Sequence, residues 1–219
     1  MSTRVALIRH GATTLSAEDR FAGATDVELS PAGREQAERL GERLAAERLE
    51  AVYASPLGRT LATAGLVAAP HGLPVLPREG LREIHHGHWE KLTRAEVEAQ
   101  HPSEYAAWEQ DPFGFAPAGG ESGAAVMARA LPALREIVLA HPGGMVAVVS
   151  HKATIRLLLC GLLGIDARGY RDRLDQAPAC LNLLEFKDAV RARLMLFNDV
   201  SHYAGTARRA GANLSKWWA

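Results

Sequence analysis

Arg4-Val5-Ala6-Leu7-Ile8-Arg9-His10-Gly11 is a short apolar run that stops at an adjacent cation and imidazole. Val5 to Ile8 has the length and β-branched content of a buried strand, and Gly11 is the residue type at which a backbone turns sharply. Arg9 and His10 are therefore placed at a strand's exit, where open α/β sheets bind their ligands. Taken alone, an Arg-His pair is more often an ordinary polar strand end in a loop. The downstream chain reverses that weighting.

Two further apolar runs end in the same way. Ala51 to Ala54 leads into Ser55-Pro56-Leu57-Gly58-Arg59-Thr60, and Met145 to Ser150 leads into His151-Lys152-Ala153-Thr154, each followed by a helical pattern. If these strands are parallel neighbours, Arg9, His10, Arg59, His151 and, less firmly, Lys152 converge on one crevice. Guanidinium groups bind phosphate oxygens through paired hydrogen bonds, and amide N–H groups at helix starts add donors. A phosphate suits such a crevice. A sulfate or carboxylate fits almost as well.

The 219 residues are enough for one α/β domain with a full core, or for a core with an inserted lid. Lys plus Arg and Asp plus Glu stand at 25 each, so no global field attracts nucleic acid or an anionic membrane; anion binding must come from a local cluster. Cys160 and Cys180 form no disulfide framework, and buried thiols in a reducing cytoplasm are the expectation. The first apolar stretch is too short for a signal peptide, and no run approaches a membrane span.

The expected order is strand, helix, strand, helix, an irregular polar middle, helix, strand, helix and two final strands. Ser30-Pro31 starts a helix that runs to about Glu47, with Ala37, Leu40 and Leu44 on one face. Ser122 opens another, striped by Val126, Ala130, Leu134 and Ile137. A third helix covers 152–163, and Cys180 to Phe186 and Arg193 to Phe197 read as late strands. This alternation predicts an α/β fold, a three-layer α/β/α sandwich around a mostly parallel sheet. The whole of 1–219 reads as a single domain. Residues 84–121, rich in Pro, Gly, His and aromatics, read as a lid or specificity insertion, with Thr93 capping a short helix; an ordinary surface excursion is the plain alternative.

Several segments together carry a resemblance. Arg9-His10-Gly11, Asp19-Arg20-Phe21-Ala22-Gly23 followed by Val27-Glu28-Leu29-Ser30, Ser55 to Thr60, Leu81-Arg82-Glu83, Gly119-Gly120-Glu121-Ser122 and Ser150-His151 resemble the histidine phosphatase superfamily, also called phosphoglycerate-mutase-like. Arg-His-Gly alone is a weak match, but the order and spacing of the segments, from about residue 4 to about 203, are very specific. The resemblance implies metal-independent hydrolysis of a small phosphomonoester without a cofactor. His10 would be the nucleophile that becomes a phosphohistidine, with Arg9, Arg59 and His151 holding the transferring group. Glu83 would protonate the leaving alkoxide and then activate water. A free glutamate titrates near pH ~4.3, so burial or an anionic substrate has to keep its proton in place.

Thr13, Ser16, Arg20 and Gly23 match family positions on the phosphate or substrate side of the pocket. Arg20 could equally pair with Glu18 or Asp19 on the surface. Ala12 stands where the family often carries a carboxylate or glutamine, and the segment Glu83 to Lys91 has His85, His86 and His88 and ends Trp89-Glu90-Lys91 where related phosphatases end Trp-Glu-Gly. His85 or His86 is expected to line the pocket and His88 to face solvent. Lys152 is a candidate contact for a second anionic group on phosphoserine, a phosphosugar or a phosphoglycerate derivative. His71, His101 and His141 read as surface residues.

The rival functions are a cofactor-dependent phosphoglycerate mutase, a metallohydrolase suggested by the three histidines, and a non-catalytic phospho-ligand binding protein. The stretch Trp108 to Pro112 followed by Pro117 to Ser122 looks like the phosphatase branch rather than the mutase. No matching Asp-His or Cys spacing accompanies the three histidines, so no metal is expected. The tail from Gly205, with Trp217 and Trp218, lies beyond the resemblance; the tryptophans could pack on a homodimer partner, close the pocket, or fold back on their own domain.

Overall fold

The computed structural model describes residues 2–15 and 20–203. Ser16, Glu18, Asp19 and the tail from Gly205 lie outside the described residues. Six strands form one sheet: β1 (Thr3–Arg9), β2 (Ala51–Ala54), β3 (Val75–Pro77), β4 (Met145–Ser150), β5 (Leu181–Phe186) and β6 (Ala192–Asp199), in the spatial order β3-β2-β4-β1-β5-β6. Pairings among β3, β2, β4 and β1 are parallel, while β5 pairs antiparallel with β1 and β6 with β5. The helices are α1 (Pro31–Leu44), α2 (Gly58–Ala68), α3 (Arg94–Gln100), α4 (Pro102–Gln110), α5 (Gly123–Ala140), α6 (Lys152–Leu163) and the short α7 (Tyr170–Arg173).

The three layers follow from the alternation of side chains along a strand. Val5, Leu7, Val146 and Val148 pack on the stripes of α5 and α6, and Ala6, Ile8, Ala147 and Val149 on α1 and α2. Central strands buried on both faces must be apolar throughout, hence the near-continuous runs at 5–8 and 145–149. The expected caps form: Ser30 Oγ accepts from Gly33 N, and Ser122 Oγ from Ala125 N.

Gly11 is not among the residues with positive φ, and what it supplies after β1 is space. A Cβ there would lie 2.2 Å from Gly33 O, and one on Gly33 would lie 1.9 Å from Ala12 O. The two glycines let the start of α1 press against the turn that follows β1.

Within 84–121 the chain forms α3, α4 and a 3-10 turn, Gly87–Trp89. Thr93 caps α3 through a reciprocal capping box with Glu96. Phe21, Trp89, Val97, Tyr105 and Trp108 give this segment an apolar cluster of its own. Among the described residues no helix is long and apolar enough to cross a membrane.

Candidate active site

The sheet order puts β4 between β2 and β1, so the three polar strand exits are side by side. Arg9 is in register with Ser150, and Ala54 with Val149. A cavity of about 180 Å³ opens there, with Arg9, His10, Arg59, Glu83 and Lys152 among its lining residues.

His10 is buried, and its Nδ1 lies 2.7 Å from Gly11 O. A carbonyl oxygen only accepts, so Nδ1 carries the hydrogen and Nε2 keeps its lone pair. Burial, then the neighbouring charges of Arg9 and Arg59, push the imidazole well below its ordinary pKa. At neutral pH the ring is uncharged, with Nε2 carrying no hydrogen.

Arg9 Nη1 donates to Gln176 O at 2.6 Å, while its buried Nε has no protein acceptor. Arg59 Nε donates to His151 Nδ1 at 3.2 Å, and its Nη atoms donate to Thr25 O and Gly23 O at 2.8 Å. The 23–25 loop is itself held by Glu90, whose carboxylate accepts from the N–H groups of Gly23, Ala24 and Thr25 and from the Thr25 hydroxyl. Those contacts hold the Glu90 carboxyl below its usual pKa despite partial burial.

Glu83 sits at the N-terminus of α6. Its Oε1 accepts from Ile84 N, Thr154 N and Thr154 Oγ1, and its Oε2 from Ala153 N, at 2.9–3.1 Å. Arg129 of α5 fixes the backbone behind it, donating to Gly80 O, Arg82 O and Glu83 O while gripping Glu121 with two nitrogens. An orienting clamp of this kind leaves the Glu83 carboxylate one direction to face. An uncharged imidazole, the guanidinium groups of Arg9 and Arg59 and a positioned carboxyl group thus share one cavity.

The chain matches the family model of the histidine phosphatase superfamily (branch 1) over residues 5–200. The chain belongs to the histidine phosphatase superfamily. It is 35% identical over 163 residues to phosphoserine phosphatase 1 of Hydrogenobacter thermophilus, covering 74% of this chain and 77% of that one. It is 37% identical over 169 residues to glucosyl-3-phosphoglycerate phosphatase of Mycolicibacterium vanbaalenii, covering 74% and 75%. Among solved structures, Bacillus stearothermophilus YhfR superposes with a TM-score of 0.85 at 34% identity, covering 91% of this chain and 98% of that one. This histidine phosphatase is accordingly a phosphomonoester hydrolase of the phosphoglycerate-mutase-like α/β fold.

In this histidine phosphatase not every expected contact faces the cavity. His151 lies ring to ring with His10 at 5.2 Å, but its Nδ1 accepts from Arg59 and its Nε2 donates to Ser55 Oγ at 2.7 Å. With Nδ1 engaged by Arg59 and Nε2 by Ser55, His151 orients the Arg59 guanidinium and does not line the cavity. Gly23 is not on the cavity wall either: a Cβ there would lie 1.8 Å from Ile84 O, and its peptide groups serve Glu90 and Arg59.

His85 is likewise turned away. Its Nδ1 accepts from Gly87 N and its backbone N–H donates to Glu121 Oε2, and the cavity is lined instead by His86, packed on Phe21 at 4.7 Å. Thr13 and Arg20 line the cavity. Arg20 pairs with Glu96, at 3.2 Å.

Sequence reasoning missed Arg156, Arg94, Tyr170, Trp108 and Arg171, all on the cavity wall. Arg171 is neutralised by Glu109 and lies over Trp108 at 4.2 Å. Arg156 is buried, with Nε and Nη2 lacking hydrogen-bond acceptors and Asp175 at 3.6 Å. A lone arginine inside the otherwise apolar run 155–160 was the available signal for it.

Proposed function

We propose that the chain hydrolyses a small phosphomonoester that also carries a carboxylate, through a phosphohistidine on His10, in a reducing cytoplasm. The observation that carries this reading is the neutral His10 ring, tied through Nδ1 to Gly11 O on the wall of a cation-lined cavity. The Nε2 lone pair attacks phosphorus as the bond to the leaving oxygen breaks, and Glu83 gives that oxygen its proton. Glu83, now a carboxylate, takes a proton from water; the water oxygen bonds to phosphorus and the N–P bond returns its electrons to His10. Arg9 and Arg59 face the charge on the phosphoryl oxygens, the main requirement of a loose transition state. The two buried free thiols support the reducing compartment.

Guanidinium groups can neutralise that charge without a Lewis acid. Turnover should therefore survive exhaustive treatment with EDTA; loss of activity that zinc or manganese restores would favour a metallohydrolase instead.

The second anionic group is supported by Lys152 and Arg156, four residues apart on α6 and both lining the cavity. Burial, helped by Arg9 and Arg156, pushes the Lys152 ammonium down to about 7. Lys152→Ala should raise KM for a carboxylated substrate by roughly tenfold, the value of a charge-assisted hydrogen bond, and leave an aryl phosphate nearly unchanged. Because a lysine is charged below its pKa, the wild-type advantage for the carboxylated substrate should fade as pH rises through about 7. The variant should lack that pH dependence. An unchanged ratio of kcat/KM for the two substrates would take Lys152 out of the site.

A further inference from the structure

The three histidines at 85–88 are dispersed by the fold, and one of them joins a different cluster. His88 of the 3-10 turn, His101 at the start of α4 and Glu104 in its first turn bring their donor atoms within 4.8 Å of one another. None of the three lines the phosphoryl cavity.

The local hydrogen bonding orients the cluster. His88 Nδ1 lies 3.1 Å from Ala118 O, so in a neutral ring Nδ1 holds the hydrogen and Nε2 presents a lone pair. That Nε2 faces Glu104 Oε2 at 3.1 Å, and this buried oxygen receives no hydrogen bond of good geometry. Two facing lone pairs call for a cation. A proton on His88 would satisfy the pair alone, but the His101 ring stands edge-on to His88 with centroids 4.5 Å apart and brings a third donor to the same point. A proton has no use for a third ligand; a metal ion does.

We propose that His88, His101 and Glu104 bind a divalent transition metal of the zinc type, which fastens the 87–89 turn to α4. Two imidazoles and a carboxylate suit zinc or cobalt, whereas magnesium and calcium take oxygen ligands. Bonds of about 2.0–2.2 Å set the donors roughly 3.4 Å apart, and rotation of the partly exposed side chains closes the present spread. The Ala118 carbonyl plays the part of the outer acceptor that orients a metal-binding imidazole. Water completes the coordination. The same helix carries Trp108 to the cavity wall and Glu109 to Arg171, so the metal would steady one side of the substrate pocket.

The test uses untagged full-length protein stripped of metal with EDTA, titrated with zinc chloride by calorimetry and with cobalt chloride by visible absorption. One equivalent should bind to the wild type and to His10→Ala alike, and binding should weaken at least about tenfold in His88→Gln and in His101→Gln. Zinc should raise the melting temperature of the wild type and not of those two variants. Their metal-free turnover of an aryl phosphate, expected to equal the wild type, shows that they are folded. Absence of zinc binding at about 100 µM, well above the Kd of a built site, would overturn the proposal. So would undiminished binding in the His88→Gln/His101→Gln double variant, or binding lost in His10→Ala.

Discussion

His10→Ala is expected to abolish the phosphoenzyme and to lower phosphomonoester turnover by on the order of 10⁴–10⁶-fold, the scale of loss when a covalent nucleophile is removed. The prediction rests on the state of the ring. Burial and two nearby arginines keep the imidazole uncharged, and the Gly11 carbonyl commits Nδ1 as a donor, so Nε2 is available at neutral pH. Rapid mixing of the wild type with substrate, quenched in base, should trap an N-linked phosphoryl group that is stable to base and labile to acid. The variant should trap none. Turnover near the wild-type level in His10→Ala would show that phosphorus is attacked by something else.

Glu83→Gln should lower hydrolysis of alkyl phosphates by roughly 10²–10⁴-fold, the usual contribution of a positioned acid and base. The amide keeps the shape of the side chain but cannot pass a proton. Phosphorylation of His10 by an activated aryl phosphate, whose leaving group needs little protonation, should suffer much less. Pre-steady-state release of the aryl alcohol separates that step from the later attack of water. Equal losses on the two substrate classes would instead assign Glu83 to structure, through the contacts it makes with the start of α6.

The elements that were legible in the residue order are those whose signals are local and strong. Ser30-Pro31 and Ser122 mark helix starts through caps that form within one turn, and the runs at 5–8 and 145–149 are apolar because both faces are covered. β3 escaped because it has three residues, none fully buried, and so carries no run or alternation. α4 escaped because only Tyr105 and Trp108 are buried on it and no side chain caps it.

In the site, the order of residues was enough to place Arg9, His10, Arg59, His151 and Lys152 at strand exits, since a strand's end and the following turn are neighbours along the chain. The free nitrogen of His10 is set by the carbonyl of the next residue, Gly11, but whether His151 faces the cavity or Ser55, and whether His85 or His86 lines the wall, depend on partners far away in sequence such as Ser55 and Glu121. The same holds for Arg129, which reaches from α5 to the backbone at 80–83, and for the meeting of His88 with His101 and Glu104. Backbone propensity and hydrophobic periodicity act over a few residues and show in the chain as written. Burial-driven pKa shifts and hydrogen-bond saturation are set by whatever the packing of distant elements brings within about 3 Å, and only the folded molecule decides them.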